Sequence, residues 1–191
     1  MSTTDPRALA KALDHIKYEV EMLEFGRQAI RDRRAATEDP DQSNDLNAYL
    51  ESFTIHARAI AGFLFFRDKE TDMFADDFVR DVPAWKRDRG TCPQHLDVRG
   101  RVGKEIAHLT YARAEIGPEA RAWDTDAIGL GFRELMERFG KHVRQDILLT
   151  YSSVGRPRRV EIGVGTTTVI MNTTMKEYTF ADIVLSNRST G

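Results

Sequence analysis

A single cysteine, Cys92, is all the thiol chemistry in this chain. One cysteine closes no internal disulfide and builds no cysteine-rich zinc site. Its setting between Thr91 and Pro93 reads as a loop or helix start with no obvious histidine partner, so it is expected to be a structural residue. Long apolar runs are missing too. The longest approach, Ile60 to Phe66, falls far short of the ~20 residues that span a bilayer, and no membrane association is expected. The first residues, Met1 to Pro6, show no basic region leading into an apolar run, which argues against a secretory signal and makes the cytoplasm the expected location. An excess of one charge is also absent. There are 28 Lys and Arg against 30 Asp and Glu, a net charge of −2, so nothing draws the whole molecule to nucleic acid, although a local basic patch stays open.

Several motifs are lacking. No Gly-x-Ser-x-Gly elbow is present. Gly129-Leu-Gly131 is too short for a dinucleotide loop and follows no strand, and Gly163-Val-Gly165 opens no helix. His15 and Glu19, four apart on one helix, have a spacing compatible with shared ligation, but no Glu-x-x-His pair of the di-iron type accompanies them. No metal and no cofactor are expected.

What is present is helical periodicity. The chain has 191 residues, 41% apolar and 30% charged, enough for one domain with an ordinary core and an appendage. Asp5-Pro6 reads as a cap and a first-turn proline. Leu9, Leu13, Ile16, Val20 and Leu23 then recur at spacings of four and three, predicting a helix over about 6–36. Its end carries Arg27, Arg31, Arg33 and Arg34, which complement the helix dipole. Ser43 or Asn44 caps a second helix with the stripe Leu46, Tyr49, Leu50, Phe53, Ala57, Ile60 and Leu64. Phe63, Phe65 and Phe66 make its end apolar nearly all round, as for a helix in a core or subunit interface. A short helix over 72–80 and a loop through Pro83 and Lys86 to Gly90 follow. A third long helix is predicted from Thr91 or Pro93 to about Ile116, ended by Gly117-Pro118. After a turn towards Trp123, Asp124 or Thr125 caps a last long helix with Ile128, Phe132, Leu135, Phe139 and Val143 on its apolar face, extending to Ile147. The expected fold is mainly α, a bundle of four to five helices over 1–150. A short β-rich C-terminal appendage over 151–191 is predicted from alternation at Val160, Ile162 and Val164, from the threonine-rich stretch 166–174, and from 180–185, which reads as a strand or a short helix.

One constellation on the third helix carries chemistry. Seven residues are almost two α-helical turns, so Arg101 and His108 fall on nearly one face, with Lys104 and Glu105 between them. A neutral histidine exchanges a proton near pH 7, and an arginine holds a phosphate and offsets charge developing on it. Cleavage of RNA by its own 2′-hydroxyl needs those two roles. The same residues equally make an ordinary solvated helix face, with Arg101 and Glu105 as an i, i+4 pair. Tyr111 and Arg113 follow as possible auxiliaries for a phosphate or base. On the second helix, His56 borders the apolar stripe and reads first as a hydrogen-bonded core histidine, with Arg58 beside it.

The pair Arg101 and His108, with six residues between them, resembles the Arg-x(4–6)-His pattern of the HEPN superfamily. Lys104-Glu-Ile-Ala-His108 is similar to the asparagine-lysine-x-x-alanine-histidine wording of some branches, with Gly103 in place of the asparagine. Glu51 to Arg58 looks like a core helix of such bundles. The resemblance covers 6–150 in architecture and is specific over some 15 residues. It implies an all-α bundle that dimerises and, in active members, a metal-independent endoribonuclease with paired Arg and His residues from two subunits. Other members are inactive relatives that bind nucleotides or partner proteins, and many belong to toxin–antitoxin or phage-defence systems. The implied partners are therefore a second copy, RNA, or a partner protein such as an antitoxin. His108 would be general acid or base, Arg101 the phosphate clamp and Lys104 an auxiliary cation. Val102 departs from the pattern, because active enzymes usually carry a polar residue there. The alternative is a non-catalytic interaction module that docks through the aromatic end of the second helix and the tail.

Overall fold

The computed structural model describes residues 5–36, 44–107, 111, 122–153 and 179–185. They are mainly helical. Helix α1 spans Pro6–Ala36. The Asp5 carboxylate accepts the Arg7 amide at 3.0 Å, satisfying one of the first-turn donors that a helix leaves open. Helix α2 spans Asn44–Phe65 and buries Leu46, Phe53, Ala57, Ile60 and Leu64, so the predicted stripe is the packed one. The two helices meet closely at Gly26, where an added Cβ would stand 3.1 Å from the Phe53 Cβ.

A 3-10 turn, Ala75–Phe78, stands within the predicted 72–80 segment. The segment read as a loop through Pro83 is instead helix α3, Val82–Arg89. Capping explains it. The Asp81 carboxylate accepts the Ala84 amide at 2.9 Å, and proline in the first turn loses no intrahelical bond. The helix ends at Gly90, whose φ of 68° is the left-handed conformation that glycine adopts without strain.

The third long helix differs from its prediction in the described part. The chain makes a 3-10 turn at Gln94–Leu96, a short helical stretch at Arg99–Arg101 and a π-helical stretch at Val102–Ala107; the last two together are α4. Leu96 and Val98 are both buried. Two residues two apart cannot both face inward on one α-helix, so the break lets each reach the core.

The last helix is also two. Helix α5 runs Thr125–His142 and helix α6 runs Gln145–Ser153. Between them, Val143 pairs with Val79 in an isolated antiparallel bridge. The Arg144 amide donates to the Phe78 carbonyl at 2.9 Å, and the Arg80 amide donates to the His142 carbonyl at 3.3 Å. These long-range bonds satisfy backbone groups that a continuous helix would have paired internally.

A β-rich appendage is not among the described residues. Residues 151–153 belong to α6, and the 180–185 segment, left between strand and short helix by the sequence, is a π-helical turn, Ala181–Leu185. Thr179 and Asp182 cap it reciprocally: the Asp182 amide donates to the Thr179 hydroxyl oxygen at 3.2 Å, and the Thr179 amide donates to the Asp182 carboxylate at 2.9 Å. The alternating stretches at 160–164 and 166–174 lie outside the described residues. The core is one cluster running from α1 and α2 through α5 to Phe180 and Val184. Phe139 is its aromatic centre, with edge-on contacts to Phe63 (5.3 Å), Trp85 (5.4 Å) and Phe180 (5.2 Å) between ring centroids. The aromatic end of α2 thus serves this core, and arginines cover its outer rings, Arg89 over Phe65 and Arg99 over Phe66. Among the described residues, no helix is long and apolar enough to cross a membrane.

Candidate functional site

Two places gather the residues singled out by the sequence. The first is α4. Val102 is buried at 1% exposure and forms its inward line, while Lys104 is exposed and Glu105 half-buried. Arg101 does not project freely. Its Nε donates to Glu105 Oε1 at 2.9 Å and its Nη2 to Oε2 at 3.0 Å, the two-pronged geometry that makes arginine–carboxylate pairs strong. The guanidinium also lies 3.9 Å from the centroid of the buried Trp123 ring. Its side chain keeps 38% exposure, against 12% for Glu105. The pair and the indole therefore fix the plane and position of the cation at the surface.

The winding of α4 bears on the spacing argument. Seven residues make two turns only at the α-helical pitch. From Val102 to Ala107 the winding is π-helical, with i→i+5 bonds and a wider turn, so the shared face expected for Arg101 and His108 does not follow from α-helical geometry. His108 and Arg113 lie outside the described residues. Tyr111 is 95% exposed.

The second place is the α1–α2 face. His56 is nearly buried, and its Nδ1 stands 2.7 Å from Glu19 Oε2, with Tyr18 packed edge-on at 5.6 Å. That is the hydrogen-bonded core histidine expected from its place beside the stripe. Glu19 turns to His56, and no group of three or more potential ligands is placed to share a metal ion among the described residues. Arg58 is exposed and lines a groove with His15 and Glu19. Sequence reasoning placed His15 and Glu19 on the first helix and Arg58 on the second and did not bring them to one wall; only the α1–α2 pairing does.

The most strongly perturbed charges lie elsewhere. Arg27, read from the sequence as part of a C-terminal dipole cluster, is buried at 9% exposure. It donates to Glu24 at 2.6 Å and to Asp126 of α5 at 2.7 Å, and Arg133 reaches Glu24 at 3.0 Å. The hydrogen bonds from Arg27 hold both carboxyls below the ordinary range. The network ties α1 to α5, and its Glu24 and Arg133 line a small pocket with Leu23, Phe132 and Val184. Burial pushes the Cys92 thiol up to about 11, so it stays protonated and unreactive near neutrality. No protein-family model, no curated protein and no solved structure matches the chain.

Proposed function

We propose that the chain is a HEPN-like helical protein that acts on RNA through Arg101 and His108, without a metal ion. The observation supporting this reading is the setting of Arg101: a guanidinium kept partly exposed on the surface of α4 by Glu105 and Trp123, with buried Val102 beneath it. A pre-positioned cation pays little ordering entropy when a phosphate arrives. In the proposed reaction the 2′-oxygen attacks its neighbouring phosphorus, a 2′,3′-cyclic phosphate forms, and the bond to the 5′-oxygen breaks. His108 takes the 2′-hydroxyl proton or delivers one to the departing 5′-oxygen, and Arg101 offsets the charge gathering on the phosphorane oxygens. Lys104 adds a second cation. A homodimer would bring two such sets together.

The test is incubation of the purified protein with total RNA, with and without a chelator. Cleavage that survives chelation, and falls by roughly two to four orders of magnitude in His108→Ala, supports the reading. Equal cleavage by that variant, or none by the wild type, refutes it.

A second reading, a non-catalytic interaction module, is favoured by a specific observation: Glu105 already matches the charge of Arg101 in both prongs. On that reading Arg101 holds α4 against Trp123, and Tyr18, Phe25, Ile55 and Met73, all exposed, supply the contact surface. Salt-dependent RNA binding lost in Arg101→Gln separates the two, because the module needs no phosphate contact.

A further inference from the structure

Between α1, α2 and the 67–73 segment lies an open groove of about 760 Å³, within the size range of small-molecule sites. Its floor is apolar, with Ile16, Ile60, Phe63 and Met136. Arg58 and Gly62 on α2 and Phe66 just past its end follow at intervals of four and make one ridge of the groove wall.

The charged groups of the groove divide into two kinds. Each acid has a partner within the protein. Glu19 is taken by His56 at 2.7 Å, Asp68 by Arg99 at 3.2 Å, and the Asp72 carboxylate by the Lys69 amide at 2.9 Å. The two basic side chains, His15 and Arg58, make no hydrogen bond or ion pair among the described residues. Arg58 is therefore the one permanent cation on this apolar groove, and it has no protein partner among the described residues. An occupant that complements it has an apolar body and one anionic end.

We propose that this groove binds a free aliphatic carboxylate, its head on Arg58 with His15 beside it and its chain laid along Gly62 towards Phe66. Arginine suits that head because its fork matches two carboxylate oxygens.

Titration calorimetry with dodecanoate, below its micelle concentration, tests the proposal on the full chain. Dodecanol and butyrate serve as the headless and tailless probes, and two variants are compared. Gly62→Leu is chosen because an added Cβ at Gly62 meets nothing within 4 Å, so the side chain fills groove space while a glycine in the last turn of α2 gives way to a better helix former. Arg58→Gln removes the cation alone. Dodecanoate is expected to bind saturably at one per chain, at least tenfold tighter than either dodecanol or butyrate. Arg58→Gln is expected to lose at least tenfold for dodecanoate and little for dodecanol. Gly62→Leu is expected to abolish binding of both while unfolding at a temperature no lower than wild type. Absence of saturable binding overturns the proposal, as does equal affinity in Arg58→Gln. A monomer–dimer equilibrium abolished by Gly62→Leu would hand the groove to a second copy instead, and binding seen only on anionic vesicles would hand it to a membrane. Each of those also overturns the proposal.

Discussion

Arg27 and Arg101 both fall on helices whose sequence alone makes them surface cations, yet their surroundings give them different work. Arg27 bridges two carboxylates, one on its own helix and one on α5. Its burial makes the bridge a structural element, since removing one partner of a buried network leaves the other without compensation. Arg27→Met keeps most of the volume and is expected to lower stability by about 1–3 kcal/mol at neutral pH, read by urea unfolding. The pH dependence has a definite sign. Glu24 and Asp126 have folded pKa values below their ordinary ones, first because of hydrogen bonds from Arg27. Their contribution is fully present above about pH 4, where the unfolded carboxyls ionise, and is lost as pH falls through the folded values. Wild type should therefore lose stability below about pH 4 more steeply than Arg27→Met, and parallel curves would contradict the network's role. Cys92 gives a second residue-level expectation. With its thiol raised to about 11, iodoacetamide at pH 8 should modify the native chain on the order of a hundredfold more slowly than the urea-unfolded chain. The pairing of Arg101 with Glu105 was legible as an i, i+4 spacing, but the role of Arg27 was not: a run of Arg27, Arg31, Arg33 and Arg34 looks the same whether one of them is buried or none is.

At the scale of elements, what the sequence announced was periodicity, and what it concealed was competition for backbone partners. The stripes of α1 and α2 were readable because their apolar residues repeat over many turns and bury on one another. Helix α3 was missed because it is a short capped helix with a proline near its start, carried by Asp81 rather than by a stripe. The break between α5 and α6 was missed because Phe78 and Arg80, far off in sequence, offer His142 and Arg144 better partners than the helix itself. The C-terminal turn shows the same dependence on tertiary contact. Phe180 seats over Gly140 of α5 so closely that an added Cβ would lie 2.6 Å from its ring. Gly140→Ala should therefore unseat Phe180 while favouring α5 itself by about 1 kcal/mol. Hydrogen exchange of the 180–185 amides is expected to quicken at least tenfold, and the unfolding temperature to fall by about 2–6 °C because Phe180 belongs to the shared core. An unchanged temperature would mean that the turn is docked upon the fold rather than integral to it.

For the molecule as a whole, the candidate site was legible as residue types and not as a place. Arg101, Lys104 and Glu105 stand on a surface helix as their pattern implied, and the Arg101–Glu105 pair follows from its i, i+4 spacing, but the π-helical winding is a property of the packed chain, where Trp123 supplies a partner that no local spacing signals. The groove beside Arg58 likewise exists only once α1 and α2 lie together. The division into a bundle over 1–150 and a separate tail meets the same fact from the other side. Helix α6 runs through position 150, Tyr151 donates to Asp14 of α1 at 2.6 Å, and Ile183 and Val184 are buried in the cluster that also holds Leu13 and Ile30. The described C-terminal residues thus complete the same core as α1, and removing heat or denaturant protection from one should expose the other. Trp85 and Trp123 are both buried, so their fluorescence reports the core while far-UV circular dichroism reports the helices. The two probes are expected to give coincident denaturant transitions with one midpoint. An earlier, separate loss of helix signal with the tryptophans still buried would show that α6 and the C-terminal turn open as their own unit, and the two-part division would then describe the protein better than the shared core does.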